Sequence, residues 1–278
     1  MTNQVAAVGA GRLSVPLAAL TIAGSDSGGG AGIQADLRVF AAHGLLGTTA
    51  ITAVTAQNTL GVRAWEALSP GLVRAQIDAV MEDLPVRAAK TGMLATQSII
   101  EAVVASWRNR TIALVVDPVM VATSGQRLLA PDAEVALAEL LGLATVVTPN
   151  RPEAAVLSGL ALEAPAHAHA AAIARLTPAT IIIKGGHPTA ASPLAIDLVR
   201  RPDGSTFELS SPWVDTTSTH GTGCTFSAAI AAHLALGSSL EDALHAAKAY
   251  LAGAIANALP YGRGHGPVDH LHALATRT

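Results

Sequence analysis

The sequence predicts an α/β fold in which helices cover both faces of a mostly parallel central sheet. Short β-branched runs alternate with Ala-rich amphipathic stretches along the chain. The runs are apolar at nearly every position, as strands buried on both faces are. The stretches between them carry apolar residues at helical spacing. In order, strands are expected at Leu17–Ala23, Thr48–Val54, Val86–Thr91, Thr111–Asp117, Thr145–Thr148 and Thr180–Lys184. Helix faces are marked by Ile33, Leu37 and Phe40, by Val73, Ile77, Val80 and Leu84, and by Leu240, Leu244, Ala247, Leu251 and Ile255. In such doubly wound sheets ligands sit beyond the C-terminal ends of the strands, so functional residues are expected just after them.

Bulk properties narrow the partner. Half of the 278 residues are apolar, yet there are only three Phe, three Trp and two Tyr, so Ala, Val, Leu and Ile must build the core. That suffices for one large domain over residues 16–278, with residues 1–15 as a disordered leader. A net charge of −3 without a basic run gives no footprint for nucleic acid or an anionic membrane. The longest early apolar run, Leu13–Ala23, is broken by Pro16, and a spanning helix needs roughly 20 apolar residues. One cysteine excludes an internal disulfide framework and fits a reducing cytoplasm. A small molecule is the expected partner. The Ala/His stretch Ala164–Ala172 reads as a surface helix or loop, with His167 and His169 exposed on different helix faces.

Four segments carry chemistry. The first, Ala23–Asp36, is a glycine-rich turn leaving a strand and opening a helix. It matches neither the dinucleotide fingerprint, because position 33 is Ile, nor the Walker A loop, because no Gly-Lys-Ser/Thr follows. The second, Gly221-Thr222-Gly223-Cys224-Thr225, precedes an apolar helix; its glycines let backbone amides converge at a helix N-terminus, a seat for an anion such as a moving phosphoryl group. An ordinary glycine-containing helix start with Cys224 as a small buried hydrophobe is the plainer alternative. In Thr148-Pro149-Asn150-Arg151-Pro152-Glu153, Asn150 and Glu153 fit a capping box, and Glu153 equally suits a water-bound Mg²⁺. Lys184, closing an apolar strand before Gly185 and Gly186, suits phosphate binding or plain exposure at a strand end.

Together with Ala56-Gln57-Asn58-Thr59, Lys90-Thr91-Gly92-Met93-Leu94, Asp117-Pro118-Val119-Met120, Lys184-Gly185-Gly186-His187 and Thr219-His220, these segments resemble the hydroxymethylpyrimidine kinases of the ribokinase-like superfamily. The motifs stand in the family's order and cover nearly the whole chain after the leader. The resemblance implies a ribokinase-like three-layer sandwich that uses ATP and Mg²⁺ to phosphorylate hydroxymethylpyrimidine and then its monophosphate, for thiamine assembly. It also implies a homodimer.

By the same resemblance, Gly24, Asp36, Gln57, Met93 and Val119 line the pyrimidine pocket. The Gln57 amide offers a donor and an acceptor to an aminopyrimidine, and Met93 a polarisable surface for its ring. Lys184, Asn150, Thr217, Thr219 and Thr222 fall on the nucleotide side, with Glu153 and Asp117 organising the metal. Gly221, Gly223 and Cys224 form the catalytic loop. A thiol at a helix N-terminus is expected to have a lowered pKa and to help deprotonate the substrate hydroxyl. Lys248 borders the adenine pocket or is a solvated helix lysine, and the Gly262–Pro267 tail is expected near the nucleotide. The competing readings are a pyridoxal kinase of the same branch and a non-catalytic pyrimidine or nucleotide binder.

Overall fold

The β-branched runs form strands where they were expected, within a residue or two at most ends. The structure, a computed structural model, describes residues 16–121, 125–126, 128–130, 133–185 and 193–275. The expected leader, and Gly186 and His187, lie outside the described residues. The elements run β1 (Ala18–Ser25), α1 (Gly32–Ala42), β2 (Leu46–Asn58), β3 (Gly61–Ala67), α2 (Pro70–Asp83), β4 (Val86–Thr91), α3 (Gln97–Trp107), β5 (Ala113–Val116) and α4 (Glu134–Leu141). They continue with β6 (Val146–Val147), α5 (Arg151–Ser158), α6 (Ala166–Ile173), β7 (Thr180–Ile183), β8 (Leu194–Arg200), β9 (Thr206–Pro212), α7 (Thr222–Ala235), α8 (Leu240–Ala256) and α9 (His272–Ala275).

One sheet joins the described strands in the order β3-β2-β1-β4-β5-β6-β7-β8-β9. From β2 to β7 every neighbour is parallel. The edge strands β3, β8 and β9 are antiparallel, and they were not expected, because their half-exposed residues lack the continuous apolar run of the centre.

Side chains alternate between the two faces, as strand geometry requires. Leu20, Ile22 and Val116 pack with Ile77 of α2, Ile99 of α3 and Leu140 of α4. Their neighbours Ala19 and Val115 pack with Phe40 of α1, Ile230 of α7 and Leu244 of α8. Helix α7 is buried at every position from Thr225 to Ala232, which explains why it shows no amphipathic period.

Two surface expectations fail. His169 is fully buried on α6, its Nδ1 2.7 Å from Ser158 Oγ, because the Ala-rich helix packs one face on Ile181 and Ile183 of β7. Lys248 is not solvated. It is buried and donates to Asp197 Oδ2 at 2.7 Å. Among the described residues no helix is long and apolar enough to cross a membrane.

Candidate active site

The C-terminal ends of β1, β4, β5, β6 and β7 open on one side of the sheet, where the N-terminus of α7 meets them. Leaving β1, the chain turns through the glycine segment and is held by Asp26. Asp26 Oδ1 accepts from Gly28 N at 2.8 Å, and Oδ2 accepts from Gly30 N and Ala31 N at 3.0 and 2.9 Å. His220 Nε2, from the loop before α7, lies 2.9 Å from the same oxygen. Burial pushes the Asp26 carboxyl up, but His220 and the Gly28 and Ala31 amides outweigh it and hold it below its usual value. Gly221 has φ +85, and a Cβ there would collide with the Gly30 carbonyl oxygen. Glycine is therefore required both for the left-handed backbone and for contact between the two loops.

Gln57 ends β2 beside this turn. Its backbone and Ser27 exchange hydrogen bonds of 2.7 and 2.9 Å, and its amide reaches His220 Nε2 at 3.1 Å. Gly24 sits against Met93, whose Sδ would be 3.1 Å from a Cβ placed there. Met93 clusters with Ala53, Ala95 and Leu128, and Val119 packs on the same group. The structure therefore gathers Gly24, Gln57, Met93 and Val119 at one side of the opening. Asp36 departs from them: it is fully buried, with Lys90 Nζ at 2.9 and 3.0 Å and Thr21 Oγ1 donating at 2.6 Å. In the free protein both of its oxygens are taken up by these two partners.

On the other side, Lys184 Nζ donates to Asp117 Oδ1 at 2.9 Å, and Thr148 Oγ1 to the same oxygen at 3.2 Å. Gly223 faces this pair; a Cβ there would stand 3.4 Å from both Asp117 Oδ2 and Lys184 Nζ. Asn150 and Glu153 form a full capping box, with bonds of 2.9 and 2.8 Å, at a helix start that also carries Pro152. Burial pushes the Glu153 carboxyl up, Lys184 opposes and the negative charge of Asp117 adds, leaving it at about 7. Burial works against the Lys184 charge, but Asp117 and Glu153 outweigh it and hold the ammonium above its usual pKa. Thr219 and Thr222 are half-buried on the loop entering α7, and Thr217 is exposed.

Cys224 overturns one expectation. Burial pushes its thiol up to about 11, with Lys90 opposing, so desolvation outweighs the helix N-terminus. The free protein holds a neutral thiol at pH 7. Three further groups escaped the sequence reading. Lys90 lies inside an apolar strand, and a charge there demands a buried partner, which Asp36 supplies. His220 joins the loop before α7 to Asp26 and to Gln57, contacts that its motif alone does not show. Asp197 on β8 accepts from Gly185 N at 2.9 Å and pairs with Lys248, anchoring the backbone next to Lys184. The Gly262–Pro267 tail bridges two segments: His265 N donates to Thr59 O at 2.9 Å, beside Gln57, and Gly266 O accepts from His220 N at 3.0 Å, on the loop that carries Thr217 and Thr219.

Two buried groups pull stability in opposite directions with pH. Glu153, raised from 4.5 to about 7, holds its proton more tightly when folded, so its contribution is full below pH 4.5 and is lost as pH rises through 7. His270, lowered from 6.5 to about 4 by burial and by Arg38, contributes fully above pH 6.5 and loses this as pH falls through 4. Each effect spans about 3 kcal/mol. Glu153→Gln removes only the first. Between about pH 7.5 and 4.5 the variant is expected to lose about 3 kcal/mol relative to the parent in urea unfolding, whereas parallel curves would refute the raised carboxyl.

Residues 26–269 match the family model described as phosphomethylpyrimidine kinase. The chain is 52% identical over 265 residues to the hydroxymethylpyrimidine/phosphomethylpyrimidine kinase of Rhizobium meliloti, covering 91% of this chain and 97% of that one. An ADP complex of Bacillus subtilis pyridoxal kinase is similar in structure, with a TM-score of 0.84, 36% identity, and 94% and 100% of the two chains covered. The phosphomethylpyrimidine kinase of Clostridium difficile gives a TM-score of 0.71 at 40% identity, covering 84% and 97%. The sandwich is thus that of the ribokinase-like kinases, and the chain belongs to the phosphomethylpyrimidine kinase family.

Proposed function

We infer that this chain transfers the γ-phosphoryl group of ATP to the hydroxymethyl oxygen of 4-amino-5-hydroxymethyl-2-methylpyrimidine, and then a second one to the monophosphate. The observation that carries the reading is the Lys184–Asp117 pair lying against Gly223 at the start of α7. A cation and helix-terminal amides are thereby aimed at one point between the pyrimidine side and the Asn150–Glu153 side. In the transfer, the hydroxymethyl oxygen bonds to the γ-phosphorus as the bond to the ADP oxygen breaks. The protein's task is in-line positioning and neutralisation of the charge on the migrating group.

Lys184 and the amides of Gly221, Thr222 and Gly223 would hold the phosphoryl oxygens, with Thr217, Thr219 and Asn150 along the phosphate chain. Cys224, in the first turn of α7, would receive the hydroxyl proton. A thiol pushed up to about 11 is a weak base at neutral pH, so charge neutralisation carries more of the rate than proton removal. Asp117 and Glu153 fit Mg²⁺, which takes one or two carboxylates and completes its shell with water and phosphate. Burial lifts the Glu153 carboxyl to about 7, with Lys184 opposing and Asp117 adding, and a cation bound beside it would restore the carboxylate. Bound there, Mg²⁺ would neutralise charge on the phosphate oxygens.

Incubation with ATP and the pyrimidine, followed by mass spectrometry, tests the reading. The monophosphate is expected first and the diphosphate after it. Accumulation of monophosphate alone would remove the second step. The high structural similarity to pyridoxal kinases supports one alternative, phosphorylation of pyridoxal in the same opening.

A further inference from the structure

We propose that His220 fixes which way round the Gln57 amide faces the substrate ring, and thereby makes the site read a ring amine and reject a ring oxo group. This rests on the pyrimidine-kinase reading above and specifies how that site discriminates. The oxygen and nitrogen of a glutamine amide are alike in shape, so their order is decided by the hydrogen-bond network around them.

Asp26 decides the first step. Its two oxygens receive Gly28 N, Gly30 N and Ala31 N, and every backbone partner is a donor, as an ionised carboxylate requires. His220 Nε2, at 2.9 Å from Oδ2, must then carry a proton and donate as well. A bare ring nitrogen facing that oxygen would set two acceptors against each other. The backbone holds the ring in place, since His220 N donates to Gly266 O at 3.0 Å and Val268 N donates to His220 O at 3.2 Å.

Gln57 follows from this. The amide atom placed 3.1 Å from His220 Nε2 is Nε2, while Oε1 lies 3.4 Å from Thr55 Oγ1. That order sets a donor against a donor. The reverse order fits the network better: Gln57 Oε1 shares the His220 Nε2–H with Asp26 Oδ2 in a three-centre bond, and Gln57 Nε2 donates to Thr55 Oγ1. One lone pair of Oε1 and one N–H of Nε2 then remain for a ligand. They complement the ring amine and adjacent ring nitrogen of a 4-aminopyrimidine, and they clash with the reversed donor and acceptor of its 4-oxo analogue. His220 is thus a positioning residue, acting through Gln57.

The first test uses ¹⁵N NMR of the free protein, where the His220 ring is expected to be protonated at Nε2; a ring protonated at Nδ1 alone would overturn the assignment. The second compares kcat/KM for the 4-amino substrate and its 4-oxo analogue. The parent is expected to favour the amine by about a hundredfold or more. In His220→Leu the amide is free to turn, and the preference is expected to collapse to about tenfold or less. A folded variant that keeps the parental ratio, or a parent without preference, would sink the proposal. Turnover of neither ring by the parent would instead overturn the kinase reading and this inference with it, while the tautomer measurement would still report on the network.

Discussion

Lys184→Met is expected to lower kcat by about 100- to 1,000-fold, the usual effect of removing one preorganised donor to a developing charge. Lys184 is the cation nearest Gly223 at the start of α7, and its ammonium is held above its usual pKa by Asp117 and Glu153. KM for the pyrimidine should change little, because Gln57, Met93 and Val119 lie on the other side of the opening. Cys224→Ala is expected to cost less, about ten- to a hundredfold, at or below the low end of the range for a general base. The comparison is sharpened by pH. If the thiol that burial lifts to about 11 takes part in proton removal, the parental kcat climbs as pH rises above neutrality and the alanine variant loses that climb. A larger loss in Cys224→Ala than in Lys184→Met would reverse the ranking of charge neutralisation over proton transfer.

The second large effect is on stability. Lys90 and Asp36 are both fully buried, and burial works against the Lys90 charge while Asp36 outweighs it and holds the ammonium above its usual pKa. Lys90→Met leaves a buried carboxylate without its counter-charge and is expected to destabilise the protein by about 3–5 kcal/mol. Adding Asp36→Asn removes the orphaned charge and keeps an acceptor for Thr21 Oγ1, so most of the loss should return. Chemical unfolding of the two variants measures this. Equal losses in the single and double variants would mean that packing around Lys90, and not its charge, stabilises this region.

The central sheet was legible because its strands are apolar at almost every position, and that pattern arises when helices cover both faces. The antiparallel edges were not. Residues such as Arg63, Glu66 and Glu208 break the apolar run, and pairing at an edge depends on the neighbouring strand more than on local composition. The site was legible where loops carry unusual residue groups, as at Gly221–Cys224 and Asn150–Glu153. It was not legible where function depends on a partner far along the chain. Asp26 and His220 are 194 positions apart and Lys90 and Asp36 are 54 apart, so no local window shows that they pair. The burial of His169 and Lys248 escapes a local reading for a related reason. Polar residues are mostly exposed, and only a distant partner, here Ser158 or Asp197, makes their burial tolerable.

The most direct test of the central claim is a side-by-side measurement of ADP release with Mg²⁺ and ATP, offering hydroxymethylpyrimidine, its monophosphate and pyridoxal. Turnover of both pyrimidines, with kcat/KM well above that for pyridoxal, is the predicted result. Preference for pyridoxal would contradict the assignment of the opening to an aminopyrimidine, and absence of ADP release with all three would contradict phosphoryl transfer at this site.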